Sequence, residues 1–161
     1  MTKEEFLQLA TAAAQASSKS SGLLVGITIA QAALESCWGN SELSRKASNY
    51  FGIKAHGPHT VLEMPTTEVI NGDVQKVTAR FAAYKDMAEC FACRDQLISR
   101  GAVYAEARAN ARDPEQFVRA IAKHWATDPN YAEKILRIYR ENNLSRLDMS
   151  RDAGGAEGAP S

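Results

Sequence analysis

The run Leu24-Val-Gly-Ile-Thr-Ile-Ala-Gln-Ala-Ala-Leu-Glu35 constrains the fold of this chain more than any other segment. It predicts a helix from Leu23 to Trp38 that is apolar nearly all round. Such a helix has no face to give to solvent and must be wrapped by the rest of the chain. Its one acidic residue closes the run. Glu35 stands half in the core and half out, with Ser36-Cys37-Trp38-Gly39 following at once. Desolvation disfavours the charged form of a carboxyl and raises its pKa toward neutral. That suits a general acid, which must hold a proton near neutral pH and then release it to a leaving oxygen. The alternative is an ordinary last-turn glutamate facing solvent, and the pattern alone leaves both open.

The segments available to wrap this helix are themselves helical. Thr2 to about Ser17 has a capping box, Thr2 with Glu5, and an apolar face of Phe6, Leu9, Ala10 and Ala13. Ser17-Ser-Lys-Ser-Ser-Gly22 reads as a break. Ser41 to Lys46 predicts a short helical turn, Asp86 to Ser99 a full helix, and Val103 to Ala109 another short one. Asp113-Pro114 supplies a cap and an N1 proline for a helix running to about Trp125. Thr127-Asp-Pro129 starts the last helix, which ends near Asn143.

The period changes between Thr60 and Phe81. Two alternating stretches, Thr66 to Ile70 and Val74 to Phe81, flank Asn71-Gly72, the favoured type I′ hairpin turn. The predicted architecture is therefore mostly α (α+β): a helical domain over residues 1–147 with one inserted β-hairpin lobe. A groove between body and lobe is a natural seat for an extended polymer. Residues 148–161, rich in Gly, Ala and Ser, cannot bury a core and are expected to form a disordered tail.

Composition excludes several classes. The 161 residues carry 19 basic and 19 acidic side chains, which gives no basic excess for nucleic acid. No apolar stretch is long enough to span a membrane. The segment Met1-Thr-Lys-Glu-Glu-Phe6 is charged and is not a signal peptide. Cys37, Cys90 and Cys93 are too few for a disulfide scaffold, and Cys90 and Cys93 lack the further ligands a zinc site needs. The two are read as small buried residues. His56 and His59, in a Gly-Pro loop, are expected to be solvated. No metal and no cofactor are expected.

A second carboxylate, across the bond from the donor, is usual in glycosidases. The hairpin offers Glu68 in its first strand and Glu63 near its base, either of which could instead be a solvated strand residue. Five strings, in order, then carry a family resemblance: Ala30-Gln-Ala-Ala-Leu-Glu-Ser-Cys-Trp-Gly39, Asn49-Tyr-Phe-Gly-Ile-Lys-Ala55, Thr66-Thr-Glu68, Lys76-Val-Thr-Ala-Arg-Phe-Ala-Ala-Tyr84 and Ala126-Thr-Asp-Pro-Asn-Tyr131. Over about residues 4 to 143 the chain resembles the N-acetylglucosaminidase domains of glycoside hydrolase family 73, among them the peptidoglycan-hydrolase half of a flagellar protein. The resemblance implies a lysozyme-like helical fold with a β-lobe. It also implies cleavage of the β-1,4 glycan of bacterial peptidoglycan after N-acetylglucosamine.

Carried over by position, Glu35 matches the family's proton donor and Glu68 its second carboxylate. Trp38, Asn49, Tyr50, Phe51, Trp125 and Tyr131 are the expected substrate-binding residues. Two positions depart from the family. Trp125 replaces a tyrosine that assists catalysis, and indole has no hydroxyl to relay a proton. It is expected to offer a stacking face, with core packing as the alternative. Cys37 stands where the family usually has glycine, and a thiol buried beside Glu35 would add to the desolvation of the acid.

These readings imply a peptidoglycan hydrolase that takes glycan strands as its partner. It would be made in the cytoplasm without a signal peptide and act in the periplasm or wall of a target cell. An antibacterial effector of type VI secretion, with a cognate immunity protein occluding the groove, and a phage endolysin both fit. Zero net charge slightly favours the effector. The rivals are a weak or inactive glycan-binding module, which Trp125 favours and the paired carboxylates oppose, and a helical adaptor, which the polar groove motif opposes.

Overall fold

The computed structural model describes residues 1–58 and 60–149. His59 and the expected tail from 150 onward lie outside the described residues. Seven α-helices and a two-stranded antiparallel sheet make up these residues: α1 (Lys3–Ser21), α2 (Val25–Ser36), α3 (Glu42–Ala47), β1 (Thr60–Ile70), β2 (Asp73–Ala83), α4 (Met87–Arg100), α5 (Ala105–Ala109), α6 (Pro114–Trp125) and α7 (Tyr131–Glu141). A single 3₁₀ turn, Ala102–Tyr104, leads into α5, and 145–149 is again helical. Among the described residues no helix is long and apolar enough to cross a membrane.

The central helix is the one its sequence demands. Every residue of α2 from Val25 to Ala33 is buried, and it packs against α1 on one side and α7 on the other, with α4 behind α1. Capping follows local chemistry. The Thr2 hydroxyl accepts from the Glu5 N–H at 3.0 Å while the Glu5 carboxylate accepts from the Thr2 N–H at 2.8 Å. Asp86 and Asp113 cap α4 and α6 in the same way, through the N–H of Glu89 and Gln116.

Helix ends depart from the sequence reading at three places. α1 runs through the serine-rich stretch to Ser21, because the Ser17 hydroxyl bonds back to the Ala14 carbonyl and the Ser18 hydroxyl bonds forward to the Leu23 carbonyl beyond the helix end. Gly22, in the left-handed conformation, then stops it. α2 stops at Ser36 and not Trp38, because Cys37 and Trp38 both adopt left-handed backbone (φ 51° and 58°). α7 starts at Tyr131 and not Thr127, because Asp128 closes a turn on the Asn130 N–H at 2.8 Å.

Asn71 and Gly72 sit at φ 51° and 84°, as a type I′ turn requires, and pair Ile70 with Asp73. The register places Leu62 opposite Phe81, Met64 opposite Ala79, Thr66 opposite Val77 and Glu68 opposite Gln75, all on one face. The base is knitted to the body, with Ala82 N–H donating to Ile53 O, Ala55 N–H to Arg80 O and Tyr84 N–H to Ala47 O. The tip is not: Val69 and Val74, cross-strand partners, are 65% and 73% exposed.

The folded body reaches past the expected boundary at 147. Asp148 is buried, and its carboxylate accepts from the Gly26 N–H and the Tyr139 O–H, both at 2.9 Å. It thus caps the start of α2 from the far end of the chain. A side chain at Gly26 would collide with the Leu144 carbonyl. Asp148→Ala should lower the unfolding free energy by about 1–3 kcal/mol by stranding those donors. Truncation after Leu147 should do the same. Urea denaturation reads both.

Candidate active site

Glu35 is the penultimate residue of α2, where the buried helix emerges at the surface. Burial pushes its carboxyl pKa up, against smaller opposing effects from a Tyr131 hydrogen bond and the nearby Trp125 indole. The Tyr131 hydroxyl donates to Glu35 Oε2 at 2.8 Å. Tyr131 reaches this point because it is the first residue of α7, the helix packed along α2. Its hydroxyl oxygen in turn accepts from Gln31 Nε2 at 3.0 Å, and Gln31 Oε1 accepts from Arg94 Nη2 and Nε at 2.8 and 3.0 Å.

In front of the carboxyl lies a cleft of about 720 Å³. Its walls include Glu35, Leu43, Gly52 and Lys54 from the body, Thr66 to Ile70 from β1, and Lys123 to Thr127 from the end of α6. Glu68 therefore faces the same space as Glu35 from the hairpin side. Its carboxylate is half-exposed and lies 3.5 Å from the Lys54 ammonium. Glu63 pairs loosely with Arg80 at 3.7 Å and is not among the cleft residues. Position along the strand explains the difference, since the part of β1 that lines the cleft starts at Thr66 and Glu63 lies nearer the hairpin base. Among the described residues no three His, Cys, Asp or Glu side chains converge on a metal-sized site.

Trp125 lines the cleft and is half-buried. Its indole N–H donates to the Phe51 carbonyl at 3.1 Å, and its ring leans on Phe51 and Tyr104. The ring is held in place and its one donor is engaged.

The other expected substrate contacts stand behind the cleft and not in it. Asn49 is buried and ties the segment before β1 to the sheet: its amide donates to Ile53 O and Ala82 O and its oxygen accepts from Phe51 and Ile53 N–H. Tyr50 and Phe51 are buried against Phe91, with ring centroids 6.3 and 4.9 Å away. Trp38 packs edge-on against Phe6 with Lys3 above its ring. Tyr131 is buried behind Glu35 and touches the acid, not the cleft. Cys37 is exposed, so its thiol adds nothing to the desolvation of Glu35. Cys90 and Cys93 are buried, as their place in α4 implied, and burial pushes the Cys90 thiol up to about 12. His56 is exposed and sits 3.5 Å from the Cys93 sulfur.

Gln31 and Arg94 were missed by the motifs, yet the spacing holds a signal for each. Gln31 lies four residues from both Ile27 and Glu35, on one helical face. Arg94 lies four residues from both Cys90 and Ile98, on the apolar stripe of α4. Lys54, Lys123 and His124 were missed as cleft residues because each reads as an ordinary surface charge.

A desolvated carboxylic acid facing a second carboxylate across an open, polar cleft, beside an aromatic wall, defines a glycosidase-type centre on a lysozyme-like body. Residues 11–144 match the family model for glucosaminidase, described as mannosyl-glycoprotein endo-beta-N-acetylglucosaminidase. The chain belongs to this family of glycoside hydrolases. It is 38% identical over 133 residues to exo-glucosaminidase LytG of Bacillus subtilis, covering 78% of this chain and 46% of LytG. It is 36% identical over 143 residues to peptidoglycan hydrolase FlgJ of Escherichia coli K12, covering 84% of this chain and 45% of FlgJ. The chain thus spans under half the length of these curated relatives. The catalytic domain of the autolysin Auto from Listeria monocytogenes superposes with a TM-score of 0.80 at 29% identity, covering 90% of this chain and 86% of that domain.

The left-handed backbone at Cys37 is a site of strain for a residue with a side chain. Cys37→Gly should raise the unfolding free energy by about 1 kcal/mol, measured in urea, since the exposed thiol gives up no packing.

Proposed function

We propose that this chain hydrolyses the β-1,4 glycan of bacterial peptidoglycan after N-acetylglucosamine, with Glu35 as proton donor and Glu68 as the second carboxylate. The observation that carries the reading is the buried Glu35 carboxyl opening onto a cleft whose far wall bears Glu68. The printed names of LytG and FlgJ support the substrate class. Burial helps the Glu35 carboxyl to keep a proton that it can give to the glycosidic oxygen as the bond breaks. The second carboxylate, on the other wall, then meets the positive charge on the sugar ring or activates water. Trp125 offers its face to a pyranose ring, while its N–H stays with Phe51 and is not free for an N-acetyl oxygen. The open cleft suits a long strand.

Purified peptidoglycan should clear on addition of the protein, and borohydride reduction of the products should reveal N-acetylglucosamine at the new reducing ends. N-acetylmuramic acid there would overturn the bond assignment. Glu35→Gln keeps shape and loses the proton, so it should cut the rate at least about 10²–10⁴-fold. Full activity in Glu68→Gln would take the second role away from Glu68.

Trp125→Ala should raise KM more than it lowers kcat, because it removes a binding surface and no reacting group. Equal losses in kcat and kcat/KM would instead place Trp125 in the transition state. For the biological role, we propose delivery into another bacterium's periplasm, with an immunity protein that fills the cleft. The balanced charge of the chain supports this over a free lysin that finds an anionic wall. Expression behind an export leader should lyse the host, and expression without one should not.

A further inference from the structure

We propose that Arg94 and Gln31 are positioning residues for Glu35: acting through Tyr131, they fix which of its two oxygens carries the acidic proton. This deepens the reading of Glu35 as proton donor and rests on it. The argument is an inventory of donors and acceptors along one buried chain. Arg94 is fully buried and its guanidinium can only donate. Its Nε and Nη2 both point at Gln31 Oε1, at 3.0 and 2.8 Å. The oxygen of the Gln31 amide must therefore face Arg94, and the NH₂ must face Tyr131. Arg94 cannot turn to release it, since Nη1 donates to Thr28 Oγ1 and Asp95 Oδ1, each at 2.9 Å. Asp95 is held in turn by the Ser21 hydroxyl at 2.6 Å.

The consequence passes along the chain. The Tyr131 oxygen accepts from Gln31 at 3.0 Å, so its single hydrogen is left for Glu35 Oε2 at 2.8 Å. An oxygen that accepts along that contact does not donate along it. The carbonyl oxygen of a carboxylic acid is the better acceptor, so this contact makes Oε2 the carbonyl oxygen and leaves the proton of the acid form on Oε1. Oε1 is the oxygen above Gly52, where an added Cβ would lie 3.9 Å away, and Gly52 lines the cleft. The chain thus presents the proton to the substrate side. When the glycosidic bond breaks, its electron pair goes to the departing oxygen, which takes the proton from Oε1. The negative charge left on Glu35 is met by the Tyr131 hydroxyl.

The titratable and charged groups around Glu35 come from several elements. Tyr131 stands on α7, Lys123 and His124 at the end of α6, Lys54 on the segment before β1, Glu68 on β1 across the cleft, and Arg94 on α4 behind Gln31. None but Tyr131 is altered in the variants that follow. Gln31→Glu keeps the shape of the side chain and replaces the amide donor with an acceptor. The Tyr131 hydroxyl should then turn to the introduced carboxylate and leave Glu35 without the Tyr131 donor. Tyr131→Phe removes the donor outright and is the conservative partner should the first variant fold poorly.

The carboxyl ¹³C shift of Glu35, in glutamate-labelled protein, should titrate about one unit higher in each single variant than in the wild type. The alkaline limb of kcat should move upward with it. In the double variant Gln31→Glu should add less than half of the shift it causes alone, because the bond it redirects is already gone. Full additivity would mean simple charge repulsion and would overturn the relay, as would an unmoved titration in Tyr131→Phe. If Glu35→Gln proved fully active, the acid assignment would fall, while the carbon titration would still decide the relay.

Discussion

The hydrogen bond from Tyr131 to Glu35 joins the first residue of α7 to the last turn of α2, and the core behind it depends on that join. Gln31, Thr28, Arg94 and Asp95 are all buried with it. A polar chain of this kind is tolerated in an interior only when every member is satisfied, since a single stranded donor costs about 1–3 kcal/mol. Packing the helices and setting the protonation of the acid are therefore one act. A core that closed in a different register would leave the network unpaired, and a site that lost its acid would strand a tyrosine in the core. Few places in the chain tie stability to chemistry so directly.

The sequence made the scaffold legible where the signal was local. An all-round apolar run, an Asn-Gly turn between alternating strands, and Asp-Pro at the head of α6 each dictate their element from neighbouring residues alone. Helix ends were less legible, because they depend on what the orphaned groups find in three dimensions. Ser17 finds a carbonyl of its own turn, Ser18 finds the Leu23 carbonyl past the helix end, and the helix goes on. Asp128 finds the Asn130 N–H and the next helix waits until Tyr131.

The site divides in the same manner. Glu35, Glu68 and Trp125 line the cleft. Asn49, Tyr50, Phe51, Trp38 and Tyr131 were read as cleft residues because motif strings mark positions that matter without saying which way a side chain points. Asn49 makes the case plainly. A polar residue in a groove motif suggests a sugar contact, but all its hydrogen-bonding capacity named above is spent on backbone, holding the hairpin base to the body. Arg94 is the converse. Its spacing puts it on the apolar stripe of α4, but only the fold shows that Gln31, Thr28 and Asp95 have been placed to receive its charge.

The hairpin touches the body through Ile53, Ala55 and Tyr84 at its base, while its far half carries its own ladder and an exposed tip. Such a limb behaves as a cantilever. Residues inserted or removed in pairs about Asn71-Gly72 would change its reach without disturbing a single contact of the helical core. Glu68, three residues before Asn71, would keep its register opposite Gln75 through such a change. The length of the cleft wall could thus be rewritten at the tip, independently of the buried carboxyl at its centre. In a fold where core and catalysis are so tightly joined, the lobe is the part left free to vary.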